Sequence, residues 1–206
     1  MSNSSILDMK AGFFPFGRPE RGLLALAMGQ LARRAGAGLW ASAVYPDAKS
    51  PGAEAGMQSA FNAVPAVIAG TTGIECFGLL SGAEMSSPVQ LVIDDEFAGA
   101  LKRFARGLAV DGERLAFDVI AEAGPGGFFA GTDHTAAHYR EEHWQPRLFS
   151  REGLNAWLAG DRKDAVEKAR DRAADILRAP EEPALPEDAE RRMLAVIERA
   201  GAAAGR

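Results

Sequence analysis

Residues 39–80, LWASAVYPDAKSPGAEAGMQSAFNAVPAVIAGTTGIECFGLL, carry the reading that decides the fold. The apolar run 39–45 is short enough for a buried strand, and a Pro/Gly/Ser-rich loop closes it. Residues 54–68 then read as a long helix, interrupted or kinked near Pro65, where a backbone N–H is missing. A second apolar run, 74–80, predicts another strand. Strand, helix and strand in that order imply parallel pairing through a right-handed crossover, and so an α/β fold.

Working outward, the same alternation continues. Residues 6–9 read as a brief strand, and Pro19-Glu20 opens a helix through Leu23, Leu24, Leu26, Ala27 and Leu31 that stops at Gly36. Residues 88–108 predict a helix with Val92, Ile93, Phe97, Leu101 and Phe104 on its buried side. Beyond it the pattern changes to helices alone. These cover 113–123, stopped by GPGG, then 150 onward with Leu154, Trp157 and Leu158, then DRKDAVEKARDRAADILRA, whose charges surround an apolar stripe. EEPALPED reads as a linker, Pro186 opens a last helix, and the GAAAGR tail is expected to fray. The expected division is residues 1–149 and a helical extension over 150–206.

All three histidines lie in 126–149, GGFFAGTDHTAAHYREEHWQPRLF. Thr132 or Asp133 can cap a helix there, and His134 and His138, four apart, then share one face. A metal site, a general acid or base, and histidines that merely cap and pack a helix all remain open. HxxxH lacks the glutamate of HExxH and any cysteine pair, so it is a weak metal signature.

Composition bounds the function. A formal charge of −5 and an isoelectric point near 5.3 do not suit a general nucleic-acid binder, which needs a basic stripe. The single cysteine, Cys76, permits no internal disulfide and suits a reducing compartment. No apolar run approaches the ~20 residues that span a bilayer. A cytoplasmic protein without membrane or nucleic-acid partners is expected.

Four blocks carry a family resemblance. ILDMKAGFFPFGRPE resembles DMRTGxFSYGSPE, PDAKSPGAEAG resembles SDSKxPDxQAG, and LVIDDEFAGALKRFARGLAVDGERLAFDVIAEAG resembles LVIDDEILGxxxRxxRGIEVDDExLAxDVIxEVG. GPGGFFAGTDHTAAHYREEHWQPRLFSR resembles GPGGHFLxHxHTLxHFRxExWxPxLFDR. These are segments of the corrinoid-dependent trimethylamine and glycine betaine methyltransferase family, in the family's order. Departures are Ala48 for serine, Gly52 for aspartate, Glu54 for glutamine and Phe128 for histidine.

The resemblance implies the C-terminal portion of a (β/α)8 TIM barrel, because family members are roughly twice this long. A shortened product or a split gene is expected, its barrel completed by an N-terminal half-barrel chain or a homodimer. The implied reaction moves a methyl group from a methylated amine, quaternary or tertiary, to the cobalt of a corrinoid (cobalamin) carried by a partner protein and not bound by this chain directly. Trimethylamine members are associated with a pyrrolysine, which this sequence lacks, and that leans toward a quaternary amine. A non-catalytic remnant and a metal- or ligand-binding module on the His134/His138 helix stand as alternatives.

Barrel chemistry sits on loops after the strands. Asp8 and Lys10, then Tyr45, Asp47 and Lys49, then Glu75 and Cys76 occupy such places, with Trp40 and Phe77 as further aromatic surfaces for an ammonium. The substrate-binding set expected is Tyr45, Asp47, Lys49, Glu75, His134 and His138, with no resident metal and no catalytic residue assigned. Asp47 and Lys49 read equally as a loop ion pair, and Cys76 as a small buried hydrophobe.

Overall fold

A computed structural model describes residues 4–180 and 185–205. It is a mixed α/β structure, mostly helical, and falls into two units, Met1–Ala173 and Ala174–Arg206.

The first unit begins with helix α1 (Pro19–Arg34), where Pro19 supplies a preset φ and Glu20 an acidic first turn. Strand β1 (Trp40–Ser42) leads through the loop into helix α2 (Ala53–Ile68), and strand β2 (Gly73–Glu75) returns parallel to β1 with Trp40 opposite Gly73. The expected β-α-β unit is therefore present. Helix α2 is one continuous helix that includes Pro65. α1 and α2 lie close because small residues line their seam. A β-carbon on Gly22 would come within 2.3 Å of the Phe61 carbonyl oxygen, and one on Gly29 within 2.4 Å of the Ala69 β-carbon. The leucines of α1 are not its buried face: Leu23 and Leu31 are exposed, and Arg21, Gly22 and Gly29 are buried.

The apolar run 74–80 is not one strand. β2 ends at Glu75, the chain turns through Cys76 and Gly78 with φ of +78° and +77°, and β3 (Leu79–Leu80) pairs antiparallel with β4 (Met85–Ser86). Residues 6–9 form no strand either; the segment holds a single antiparallel bridge, Asp8 with Phe13. A strand exists only where a neighbour supplies the ladder, and residues 6–9 have none among the described residues.

Helix α3 (Pro88–Arg106) starts at Ser87, whose hydroxyl accepts the Gln90 N–H. Its buried residues are Gln90, Asp94, Glu96 and Leu101, while Phe104, expected inside, is half exposed. Ala41, Ala43, Val44, Ala63, Ala66 and Leu101 make the main core, with Ile74, Phe77 and Phe97 packed against it.

The expected 113–123 helix is two, α4 (Gly112–Leu115) and α5 (Phe117–Ala123), broken at left-handed Ala116 and stopped at Gly124. Helix α6 (Asp133–Glu142) is capped by the Thr132 hydroxyl. α7 (Leu154–Ala159) and the start of α8 (Ala165–Arg178) complete this unit, with Ala169 and Ala173 buried. In the second unit α9 (Glu187–Ala203) runs into the alanine tail instead of ending before it. The first half of the predicted EEPALPED linker, residues 181–184, lies outside the described residues. Among the described residues no helix is long and apolar enough to cross a membrane.

Candidate functional site

The residues that follow β1 and β2 converge. Ser42, the last residue of β1, donates its hydroxyl to Glu75 Oε1 at 2.6 Å. Arg21, buried on α1, donates from Nε and Nη2 to the Ser42 carbonyl at 3.1 and 2.6 Å. Its guanidinium lies over the Phe16 ring at 4.8 Å and the Tyr45 ring at 5.3 Å. Those two rings meet edge to face at 4.7 Å. Cys76 stands beside Ser42 and Tyr45 in the same group.

Burial sets the protonation of this cluster. It pushes the Cys76 thiol up, opposed by the Ser42 hydrogen bond and reinforced by Glu75. The Tyr45 hydroxyl also rises, through burial first and Cys76 second. Both are neutral near pH 7, so Cys76 is a packing group and not an activated nucleophile.

Asp47 organises the adjoining loop. Its Oδ1 and Oδ2 accept the backbone N–H groups of Phe16 and Gly17 at 2.8 and 2.9 Å, and Arg18 Nε stands 4.0 Å from Oδ2. Lys49 reaches the Asp47 carbonyl oxygen, at 2.7 Å, so its ammonium is held on the backbone and not on the carboxylate. The ion-pair reading of Asp47 and Lys49, one of the two open for them, thus gives way to a carboxylate clamp on residues 16–17. Asn62 Nδ2 on α2 fixes the Phe16 carbonyl at 2.8 Å, and Gln58 Oε1 accepts the Ala48 N–H.

Above this clamp lies an open cleft of about 450 Å³ lined by Phe13, Phe14, Phe16, Asp47, Lys49, Ser81, Gly82 and Glu84. Its floor is strained. Ser81, Gly82 and Ala83 have φ of +52°, +59° and +72°, and Cys76 stands just upstream at +78°. Left-handed non-glycine residues cost on the order of 1 kcal/mol or more each and collect at functional sites. Hydrogen bonds from the Ser81 and Gly82 N–H groups to the Ala48 and Pro46 carbonyls hold the turn against the Asp47 loop.

The structure therefore brings Tyr45, Asp47, Lys49 and Glu75 into one neighbourhood. Trp40 stands at the other end of β1. His134 and His138 have their partners elsewhere. Their rings lie 4.6 Å apart on α6, with His134 Nε2 2.9 Å from the Glu113 carbonyl oxygen and His138 Nε2 3.1 Å from the Glu113 carboxylate. Arg103 and Arg114 bind Glu142 at 3.1 and 3.4 Å, tying α6 to α3 and α4. Among the described residues no three His, Cys, Asp or Glu side chains converge as a metal ion requires.

Sequence reasoning passed over Phe13, Phe14, Phe16, Arg21, Ser42 and Glu84. GFFPFG, with three aromatic rings between turn residues, was the available signal. Nothing in the sequence marked Arg21, an arginine in the first turns of an amphipathic helix.

Comparison with known proteins gives a consistent result. A family model described as trimethylamine methyltransferase (MTTB) matches residues 2–205. A glycine betaine methyltransferase of Desulfitobacterium hafniense (strain Y51) is 31% identical over 205 residues, which are 99% of this chain and 43% of that protein. Trimethylamine methyltransferases of D. hafniense (strain DSM 10664 / DCB-2) and Methanosarcina mazei are 31% and 29% identical, with 96% and 97% of this chain covered and 40% of each relative. The chain spans about two fifths of the length of these relatives.

Proposed function

This chain belongs to the trimethylamine methyltransferase (MTTB) family, and on that premise we propose that it takes part in moving a methyl group from a methylated amine, quaternary or tertiary, to the cobalt of a corrinoid protein in the cytoplasm. The observation that carries the reading is the cleft over the Asp47 loop, where three aromatic rings meet two carboxylates. A methylated ammonium is a large, weakly hydrated cation, and aromatic faces with carboxylates nearby are its natural surroundings.

In this reading Phe13, Phe14 and Phe16 hold the methyl groups, and Asp47 and Glu84 balance the charge. Tyr45 and Glu75, behind Phe16, set the shape of the wall. The Lys49 ammonium at the rim suits the carboxylate of a betaine-type substrate. The corrinoid carried by the partner would supply the nucleophile that takes up the methyl carbon; the substrate, a quaternary ammonium or a protonated tertiary amine, would then leave as a neutral amine with the electron pair of the broken carbon–nitrogen bond. Holding one methyl group toward the open side of the cleft is the contribution expected of this chain. His134 and His138 enter only through their hold on Glu113.

The finer fold assignment is part of the proposal. Residues 1–149 form the C-terminal portion of a (β/α)8 barrel, and 150–206 a helical extension. Two parallel strands joined through a helix fit such a portion, and the reading requires the rest of the barrel from an N-terminal half-barrel chain or a second copy.

The test is methyl transfer from glycine betaine and from trimethylamine to free cob(I)alamin, followed by the cobalamin spectrum. It is run with the chain alone and with the remaining portion of a relative added. Transfer that depends on this chain, with Phe14→Ala and Asp47→Asn raising KM more than they lower kcat, is the expected result. No transfer under either condition from any methylated amine sinks the proposal.

A further inference from the structure

Asp94 on α3 is a buried carboxylate that does not line the cleft, yet it is bonded to the hairpin that floors it. Its Oδ2 accepts the Gly78 N–H at 2.7 Å, and the Gly78 carbonyl accepts the Ser87 N–H at 2.9 Å. Both polar groups of Gly78 are thus engaged at the base of the β3–β4 hairpin. Gln90 donates to the other carboxylate oxygen at 2.8 Å, while its own N–H is held by the Ser87 hydroxyl. A β-carbon on Gly78 would stand 3.0 Å from that of Leu91, so the base of the hairpin lies directly on α3.

The tip of the same hairpin faces the cleft, through Ser81, Gly82 and Glu84. Ser81 Oγ donates to Glu84 Oε2 at 2.9 Å and so aims that carboxylate. Five residues between 76 and 83 have left-handed backbone, and three of them, Cys76, Ser81 and Ala83, are not glycine. Backbone of that kind persists only where its surroundings over-determine it. β3 and β4 pair over two residues each, too few for a hairpin to hold its own shape. Its placement comes from outside: from the Ala48 and Pro46 carbonyls and the packing of Leu80 with Ala48 and Ala55 toward the tip, and from Asp94 at the base.

We infer that Asp94 is a positioning residue of the cleft: by fixing Gly78 it sets where the Ser81–Glu84 tip stands, and with it the Glu84 carboxylate that meets a methylated ammonium. This rests on the reading of the cleft as an ammonium site and adds to it a residue from outside the lining. Asp94 acts through its hydrogen bond to Gly78, so asparagine serves in its place and alanine does not.

Amide hydrogen exchange of the full chain, resolved by NMR, reads the hairpin, and titration with tetramethylammonium and with glycine betaine reads the cleft. Asp94→Ala is expected to speed exchange at Ser81 and Gly82 about tenfold while α2 keeps its protection, and to weaken binding of both cations about tenfold. Asp94→Asn restores both. Glu96→Ala is the control for lost stability, since it loosens 147–149 and leaves Ser81 and Gly82 protected. The wild type gives a reading without any variant: Gly78, Ser81 and Gly82 exchange through one shared opening, with the same dependence on urea. The inference is overturned if Gly78 opens independently of Ser81 and Gly82, or if Asp94→Ala speeds exchange uniformly along the chain. It is equally overturned if Glu96→Ala opens the floor as much, if Asp94→Asn opens it as alanine does, or if cations that bind the wild type bind Asp94→Ala as tightly. A floor that opens as expected in a chain that binds neither cation supports the positioning role and sinks only the ammonium reading.

Discussion

The carboxylate of Asp94, 1% exposed on α3, accepts the backbone N–H of Gly78 at 2.7 Å and so holds the left-handed turn that leads out of β2. Gln90 Nε2 donates to its other oxygen at 2.8 Å, and Gln90 Oε1 has no hydrogen-bond partner among the described residues. Burial raises the Asp94 pKa to about 6, opposed by the two hydrogen bonds.

That shift fixes a pH dependence. A carboxylate whose folded pKa lies above its unfolded value binds the proton more tightly when folded, so stability falls as pH rises through the window from about 4 to about 6. Asp94→Asn removes this cost and keeps both hydrogen bonds if the Gln90 amide turns over. The stability of the wild type relative to Asp94→Asn is therefore expected to improve by roughly 2 kcal/mol between pH 7 and pH 4. Urea titrations of both proteins at several pH values check it, and a flat difference would show that Asp94 is not the titrating group.

Glu96, two residues on and 3% exposed, gathers the N–H groups of Arg147, Leu148 and Phe149 on one oxygen at 2.8, 2.8 and 3.1 Å. Removing the carboxylate strands buried donors. Glu96→Ala is expected to cost about 3 kcal/mol or more, and Glu96→Gln, which retains an acceptor, clearly less. Hydrogen exchange at 147–149 should accelerate in the alanine variant ahead of the rest of the chain.

The α1–α2 seam allows a paired test. Gly22→Ala puts a methyl group 2.3 Å from the Phe61 carbonyl oxygen, and a cost of about 2–3 kcal/mol is expected. Gly56, within α2, has nothing within 4 Å of its missing β-carbon, so Gly56→Ala is expected to stabilise by roughly 0.5–1 kcal/mol through helix propensity alone. Thermal unfolding that gave both changes the same sign would contradict the packing described.

For the histidines the expected outcome is structural. His134→Ala and His138→Ala each release one bond to Glu113 and should lower stability by about 1 kcal/mol. They should leave the KM for a methylated amine unchanged, and zinc should not raise the melting temperature. A rise in KM without loss of stability would return them to the substrate site.

What the sequence by itself determined is local. Proline and glycine punctuation marked α1, Thr132 marked the start of α6, and the order of apolar runs around 39–80 implied the parallel pair, because caps, turns and periodicity are set by neighbours a few residues away. The family was equally legible, in four short blocks whose order survives the substitutions at 48, 52, 54 and 128.

Tertiary structure decided the rest. Which face of α1 is buried followed from the room at Gly22 and Gly29 and not from its leucines. Asp94 and Glu96 went inside because backbone N–H groups 16 and 51 or more residues away needed acceptors. The run 74–80 broke at Cys76 because the turn is held by Asp94 from α3, and GFFPFG became a cleft wall only when Asp47, some 30 residues on, clamped its backbone. Each is a contact between segments distant in the chain, and its free energy depends on surroundings that no local pattern encodes.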